Sequence, residues 1–225
     1  MLIVLEGLDG AGKSTQVRML KDYLASRPGG LEYIHFPRYD APVYGELISR
    51  FLRGDFGDND SVHPQLVALL FAEDRHGAVP QIREALEAGK TVLLDRYVYS
   101  NIAYQCAKLD DEAEADRLRK WIFTTEFSLF GEPKPDINIF LDVPIDFVQS
   151  NLSKQREGED RDYLEGARDI HEASIAFQQR VKSMYLRQAA EDPSLQVVDC
   201  SDEQGHMLPS ECIFAKIKAI VDERA

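Results

Sequence analysis

The chain has 225 residues, of which 44% are hydrophobic, and this composition suits a packed core and not a disordered acidic chain. Its 26 basic and 39 acidic side chains give a formal net charge of −13, which argues against a general nucleic-acid binder or a partner of anionic membranes. A small phosphate-bearing ligand stays open, because it needs only a few well-placed cations.

The cellular setting is predicted from what the sequence lacks. Three cysteines without a CxxC spacing, Cys106, Cys200 and Cys212, favour buried free thiols in a reducing cytosol over a disulfide framework or a thiolate zinc site. The apolar run at residues 1–5 has no basic flank and is unlike a signal peptide. No apolar run approaches the roughly 18 residues that span a bilayer. We therefore expect a cytoplasmic protein.

Short apolar runs alternate along the chain with longer stretches of helical period, which is typical of a parallel sheet covered by helices. The predicted strands are residues 2–6, 32–36, 91–95, 136–142 and 195–199. The first helix carries an apolar stripe at Val17, Leu20 and Leu24, and the last helix one at Ile213, Phe214, Ile217, Ile220 and Val221. We predict an α/β fold with five parallel strands in a single domain, residues 1–225.

Two segments break this alternation. Residues 54–60 are acidic and contain glycine, which favours a solvated connection. Residues 153–162 are charged and have no apolar period, which fits either a solvated loop or a mobile lid.

The first strand leads into GLDGAGKST at residues 7–15, which satisfies the phosphate-binding pattern GxxxxGK[ST] between a strand and a helix. The glycines let successive backbone N–H groups converge on one anion, and the helix N-terminus adds positive potential. Lys13 can reach the β- and γ-phosphates of ATP, and the Ser14 hydroxyl can ligate Mg²⁺. The predicted ATP-binding residues are Gly7, Asp9, Gly10, Ala11, Gly12, Lys13, Ser14 and Thr15.

A P-loop alone does not separate a kinase from a GTPase or a motor ATPase. No Asn-Lys-x-Asp tetrapeptide occurs, which argues against a guanine-reading switch, and a motor is usually larger. The remaining hypothesis is a small enzyme that binds two nucleotides side by side.

Charged residues follow two other predicted strands. Asp95 ends the third strand, where it can hold Mg²⁺ while Arg96 reaches the phosphates; alternatively, Asp95 caps the next helix and Arg96 pairs with an acid. Arg38 follows the second strand and is either a phosphate clamp or a surface arginine.

Two pairs at helical spacing suit a flat base. Phe71 and Arg75 lie at i and i+4, so they can stack on a base and donate to its carbonyl, or form a core phenylalanine and a solvated arginine. Asn101 and Tyr104 lie at i and i+3, and an amide can accept from a base N–H and donate to its carbonyl.

Taken in order, these motifs resemble those of the thymidylate kinases over essentially the whole chain. The matching pieces are GLDGAGKST at 7–15, FPRY at 36–39, LFAEDR at 70–75, DRYVYSN at 95–101 and KPD at 134–136 before an apolar strand. The resemblance implies the P-loop nucleoside monophosphate kinase fold with a short lid, ATP and dTMP as substrates, Mg²⁺ as cofactor, and a homodimer.

The resemblance also implies roles for residues that contact dTMP. Asp9 would meet its 3′-hydroxyl side, Arg38 and Arg96 would hold its phosphate, and Tyr39 belongs to the same set. Phe71 would stack on thymine, Arg75 would donate to a ring carbonyl, Asn101 would read the ring N–H, and Tyr104 would crowd the 2′ position.

One departure concerns the P-loop, which has Gly10 and Ala11 where some thymidylate kinases carry an arginine. In the bacterial branch that lacks this arginine, lid arginines serve instead, and Arg156 and Arg161 in a lid at residues 153–165 are the candidates. The implied catalytic residues are Lys13, Arg96, Arg156 and Arg161. The alternatives are another nucleoside monophosphate or deoxynucleoside kinase, and a nucleotide-dependent switch that slowly hydrolyses ATP or GTP.

Overall fold

The computed structural model describes residues 1–153, 159–166, 169–172 and 174–224, with only the backbone at 159–161. Its strands form one parallel sheet in the order β2-β3-β1-β4-β5. The strands are β1 Leu2–Gly7, β2 Leu31–His35, β3 Thr91–Asp95, β4 Ile137–Asp142 and β5 Leu195–Asp199. All five predicted strands are confirmed, with ends shifted by no more than one residue.

Helices connect the strands and cover both faces of the sheet. They are α1 Lys13–Ala25, α2 Tyr44–Leu52, α3 Pro64–Glu87, α4 Val98–Cys106, α5 Glu112–Phe123, α6 Ile145–Ser153, α7 Ile175–Glu191 and α8 Ser210–Arg224. A π-helical segment, Thr124–Leu129, continues α5, and two 3₁₀ turns cover Glu159–Leu164 and Ile170–Glu172. Among the described helices, none is both long and apolar enough to cross a membrane.

The central strands are buried because both faces of the sheet are covered, which explains why they read as continuous apolar runs. The α1 stripe is fully buried, and in α8 Ile213, Ile217 and Val221 are buried while Phe214 and Ile220 are partly buried. Residues 54–60 form a largely exposed connection between α2 and α3, as predicted. Buried thiols were expected for all three cysteines; this is right for Cys106 and Cys200 and wrong for Cys212, which is exposed because it begins the solvent face of α8.

Sheet topology brings the candidate residues together. β1 lies between β3 and β4, so the chain passes from β1 to β2 on one side of β1 and later crosses from β3 to β4 on the other side. Leu5 of β1 is in register with Asp95 of β3, which in turn is in register with His35 of β2. The P-loop, Asp95 and the end of β2 therefore meet at the carboxyl edge of the sheet, where α/β proteins bind ligands.

Candidate active site

The P-loop joins β1 to α1 in a tight curve. Gly10 and Gly12 both have φ of 75°, a left-handed conformation that favours glycine. No side chain caps the N-terminus of α1 at Gly12, so the first amides of the helix are not engaged by a cap. This arrangement of backbone N–H groups suits an anion.

Lys13 and Asp95 form a buried ion pair at the start of α1. Although burial opposes it, the Lys13 ammonium holds the pKa of the Asp95 carboxyl below its usual value. The two groups that the sequence assigned to phosphate and metal are thus in direct contact, and burial lowers the pKa of Lys13 although Asp95 opposes this shift.

A cleft of about 950 Å³, the outer cleft, opens beside this pair. It is lined by residues 8–14 of the P-loop, by Arg18 and Lys21 of α1, by Tyr33 and His35 of β2, and by Asp95 and Arg96. Six of the eight predicted ATP-binding residues line it, namely Asp9, Gly10, Ala11, Gly12, Lys13 and Ser14; Gly7 and Thr15 do not. The lining holds four Lys and Arg side chains and four carboxylates, so the cleft is balanced in charge although the protein is acidic overall; these side chains are Lys13, Arg18, Lys21, Arg96, Asp9, Asp22, Asp95 and Glu172.

Asp9 links this cleft to a second cavity. Its carboxylate accepts hydrogen bonds from Arg96 Nη2 at 2.7 Å, Tyr104 Oη at 2.8 Å and Gln178 Nε2 at 3.1 Å. Against the effect of burial, the Arg96 guanidinium holds the pKa of Asp9 below its usual value. Arg96 also donates to the Gly7 carbonyl at 2.7 Å and has φ of 66°, a strained conformation of a kind that clusters at functional sites.

The second cavity, the inner pocket, has a volume of about 80 Å³. Seven of the eight predicted dTMP contacts line it, namely Asp9, Tyr39, Phe71, Arg75, Arg96, Asn101 and Tyr104. Arg38 does not, because its backbone N–H and its Nε donate to the Asp74 carboxylate at 2.9 and 3.0 Å. Its guanidinium also contacts the Asp74 carbonyl and lies against Gly77.

One edge of the inner pocket is organised by Glu126, which no sequence motif indicated. Arg75 donates through Nε and Nη2 to the Glu126 carboxylate, with Nη2 at 2.8 Å from Oε1. Asn101 Nδ2 donates to the same Oε1 at 2.8 Å and to the Ala68 carbonyl at 2.9 Å. The Asn101 Oδ1 atom is buried and has no hydrogen-bond partner among the described residues.

Three further lining residues come from the end of the predicted lid and from the chain that follows it, namely Tyr163, Asp169 and His171. Tyr163 stacks on Tyr39 with ring centroids 3.8 Å apart and donates to Asp169 at 2.6 Å. His171 lies 5.1 Å from the Tyr104 ring, centroid to centroid. Burial and the Asp9 carboxylate raise the pKa of Asp169 to about 7, and burial lowers the pKa of His171 to about 3.

The predicted lid at 153–165 is described only in part. Arg156 lies outside the described residues, and Arg161 is within the 3₁₀ turn Glu159–Leu164 with its side chain outside them. The end of α6, where the lid was expected to begin, contacts the P-loop: Asn151 Nδ2 donates to the Gly10 carbonyl at 2.8 Å.

The predicted metal ligands lie in the outer cleft. Among the described residues, no three His, Cys, Asp or Glu side chains are grouped as a metal site. Ser14 is exposed at the P-loop, and Asp95 offers a carboxylate in the same cleft. Two oxygen ligands from the protein are enough for Mg²⁺, because this ion usually takes its other ligands from water and substrate phosphates.

Comparisons with known proteins agree on one family. The family model described as thymidylate kinase matches residues 5–207. A thymidylate kinase from Mycobacterium tuberculosis is 37% identical over 192 residues, covering 85% of this chain and 86% of its own. A probable thymidylate kinase from Thermococcus kodakarensis is 32% identical and covers 90% and 91%. A solved thymidylate kinase from Candida albicans superposes with a TM-score of 0.72 at 28% identity, covering 99% of this chain and 91% of that one.

Proposed function

The chain belongs to the thymidylate kinase family and transfers the γ-phosphoryl group of ATP to dTMP, and we propose that the outer cleft holds ATP while the inner pocket holds dTMP. The observation that carries this assignment is that Asp9 and Arg96 line both cavities. Two nucleotides bound there would direct their phosphates toward each other across Arg96. A single shared cation can then reach both the transferred and the accepting groups.

The donor side is proposed from the P-loop. Uncapped amides at the start of α1 and the Lys13 ammonium offer positive groups to the β- and γ-phosphates. Because Lys13 already pairs with Asp95, phosphate binding brings it a second anionic partner. Ser14 and Asp95 would hold Mg²⁺, and this ion supplies neutralisation of the phosphate charge when bound.

The acceptor side is proposed from the chemistry of the inner pocket. Phe71 offers a face for stacking, Arg75 offers a donor, and Asn101 offers an acceptor, because its Nδ2 is already engaged. Thymine presents carbonyl acceptors beside a ring N–H, which matches this pair. Asp9 would meet the 3′-hydroxyl and Tyr104 would crowd the 2′ position, while Arg38 would have to exchange Asp74 for the substrate phosphate.

The transfer step requires no general base, since the attacking phosphate oxygen is ionised at neutral pH. Catalysis is then positioning and charge stabilisation by Lys13, Arg96 and the lid arginines Arg156 and Arg161. An arginine that stabilises such a transition state contributes about 10³–10⁵ in rate in related phosphoryl transfers. Water must be excluded during transfer, otherwise ATP hydrolysis competes.

We further propose a cytoplasmic homodimer. Nucleotide substrates and the free thiols Cys106 and Cys200 suit a reducing compartment. Leu66 and Leu129 are 63% and 74% exposed and offer apolar surface to a second copy. Sedimentation equilibrium of the purified chain distinguishes a dimer from a monomer.

The test of the two-cavity assignment is an acceptor panel in a coupled ADP-release assay. With ATP as donor, dTMP should exceed dUMP, AMP, GMP, CMP and thymidine in kcat/KM, and ADP should form slowly without an acceptor. A preference for another monophosphate or for thymidine would favour one of the related kinases. Acceptor-independent hydrolysis of ATP or GTP would favour a nucleotide switch.

A further inference from the structure

Glu126 occupies an unusual position for a carboxylate. It is 0% exposed and lies in the π-helical segment Thr124–Leu129, outside the helices that carry the other pocket residues. Its carboxylate accepts from two nitrogens of Arg75 and from Asn101 Nδ2. A single buried group therefore holds both side chains that face the proposed base.

This contact fixes the orientation of the Asn101 amide. Nδ2 has two acceptors, Glu126 Oε1 at 2.8 Å and the Ala68 carbonyl at 2.9 Å. A flipped amide would set its oxygen against a carboxylate and a carbonyl, which is repulsive at both contacts. Oδ1 is consequently the only amide atom left for a ligand, and it can only accept a hydrogen bond.

The same carboxylate fixes Arg75 as a donor. Nε and Nη2 form a two-point contact with Glu126. This geometry orients the guanidinium plane and leaves the N–H groups of Nη1 to donate to a ligand. Glu132, which is 3.9 Å from Arg75 Nε, does not compete as an anion, because burial and the Glu126 carboxylate raise its pKa to about 9. The pocket edge thus presents one donor beside one acceptor.

We propose that Glu126 is a positioning residue that sets this donor–acceptor order and thereby makes the enzyme select imide bases, thymine and uracil, against cytosine. The inference rests on the proposed dTMP site. Thymine offers an acceptor at O4 and a donor at N3, whereas cytosine offers a donor at N4 and an acceptor at N3. Both contacts of cytosine are therefore mismatched, and a site built on such hydrogen bonds rejects the wrong partner by about 10⁴-fold.

The experiment compares dTMP, dUMP and dCMP as acceptors for the wild type and for Glu126→Gln. A glutamine amide can donate as well as accept, so a flipped Asn101 would be opposed only by the Ala68 carbonyl and no longer by a carboxylate as well. We expect the dTMP/dCMP ratio of kcat/KM to narrow at least tenfold, with the dTMP/dUMP ratio and the KM for ATP changed less than about twofold. Glu112→Gln, an exposed position at the start of α5, is the matched control.

Two further variants keep the test decisive. Glu126→Asp retains the buried charge opposite Arg75 but retracts from Asn101, so it should narrow the same ratio if Glu126→Gln fails to fold. Adding Asn101→Asp to Glu126→Gln reverses the donor and acceptor of their mutual bond and offers the base only acceptors, but it sets an oxygen against the Ala68 carbonyl, so the ratio should recover only in part.

The outcomes separate the inference from the function on which it rests. A wild type that prefers dTMP to dCMP, together with folded Glu126 variants that keep the full ratio, refutes the positioning role alone. An equal loss of activity toward all three acceptors assigns Glu126 a structural role and also refutes it. A wild type without activity on dTMP overturns the proposed function instead.

Discussion

The protonated state of Glu132 has a measurable effect on stability. This side chain is 3% exposed and lies beside the Glu126 carboxylate and Arg75, and burial together with that carboxylate raises its pKa from 4.5 to about 9. At neutral pH the folded protein therefore keeps a proton that the unfolded chain releases. Raising the pH from 4.5 toward 9 favours the unfolded state, because the folded state binds more protons in this range.

The expected magnitude follows from the interval between the two pKa values. One pH unit within it corresponds to about 1.4 kcal/mol, so the free energy of unfolding has lost about 3 kcal/mol through this group by pH 7. Glu132→Gln keeps the shape and neutrality of the protonated acid. It should therefore gain stability over the wild type as the pH rises from 5 to 8, and the part of the difference that comes from this proton should shrink to about 1 kcal/mol near pH 5.

The measurement is urea unfolding of both proteins at pH 5, 6, 7 and 8, with the free energy extrapolated to water at each pH. Glu203→Gln, an exposed position, is the control, and its difference from the wild type in the free energy of unfolding should not change with pH. A difference between Glu132→Gln and the wild type that does not change with pH would refute the assignment of a buried neutral acid. A Glu132→Gln variant that loses stability relative to the wild type as the pH rises would also refute it.

Three other predictions concern the two cavities. Lys13→Ala should lower kcat at least a hundredfold in the coupled assay, whereas Lys90→Ala, remote from the site, should not; near-normal turnover would contradict the P-loop assignment. Gly10→Ala should raise the KM for ATP severalfold and cost about 1 kcal/mol in urea unfolding, because φ is 75° and a Cβ would meet Leu152 at 3.3 Å; an unchanged KM would show that the loop relaxes. Arg75→Ala should raise the KM for dTMP at least tenfold more than that for ATP, and equal effects in a two-substrate titration would argue against base reading.

Much of this fold could be predicted from the sequence because a parallel sheet covered on both faces reads as short, continuous apolar runs. The P-loop could be predicted equally well from the sequence, since its chemistry depends on residues that are adjacent in the chain. The inner pocket could be predicted in part, because two pairs of its lining residues, Phe71 with Arg75 and Asn101 with Tyr104, each share a helix face.

The features that could not be predicted from the sequence depend on contacts between distant segments of the chain. Arg38 reads as a phosphate ligand at the end of β2, but Asp74, 36 positions away, holds it outside the inner pocket. Glu126 gives no local signal, since its partners lie 51 and 25 positions away and a π-helical segment has no recognisable pattern. Tyr163 and His171 reach the pocket from short 3₁₀ turns, which are too brief to give an apolar period that would predict where a side chain points.

The position of Asp9 has a consequence for how the two substrates influence each other. Its backbone belongs to the P-loop, yet its carboxylate contacts Tyr104 and Arg96 at the inner pocket. A ligand that tightens this carboxylate therefore acts on the loop that receives the other ligand. Such coupling is reciprocal in free energy, so dTMP must change the affinity for ATP by the same factor as ATP changes the affinity for dTMP. Synergy of this kind would make the enzyme hold ATP most tightly when dTMP is present and less tightly when dTMP is absent, which is when hydrolysis would waste the ATP.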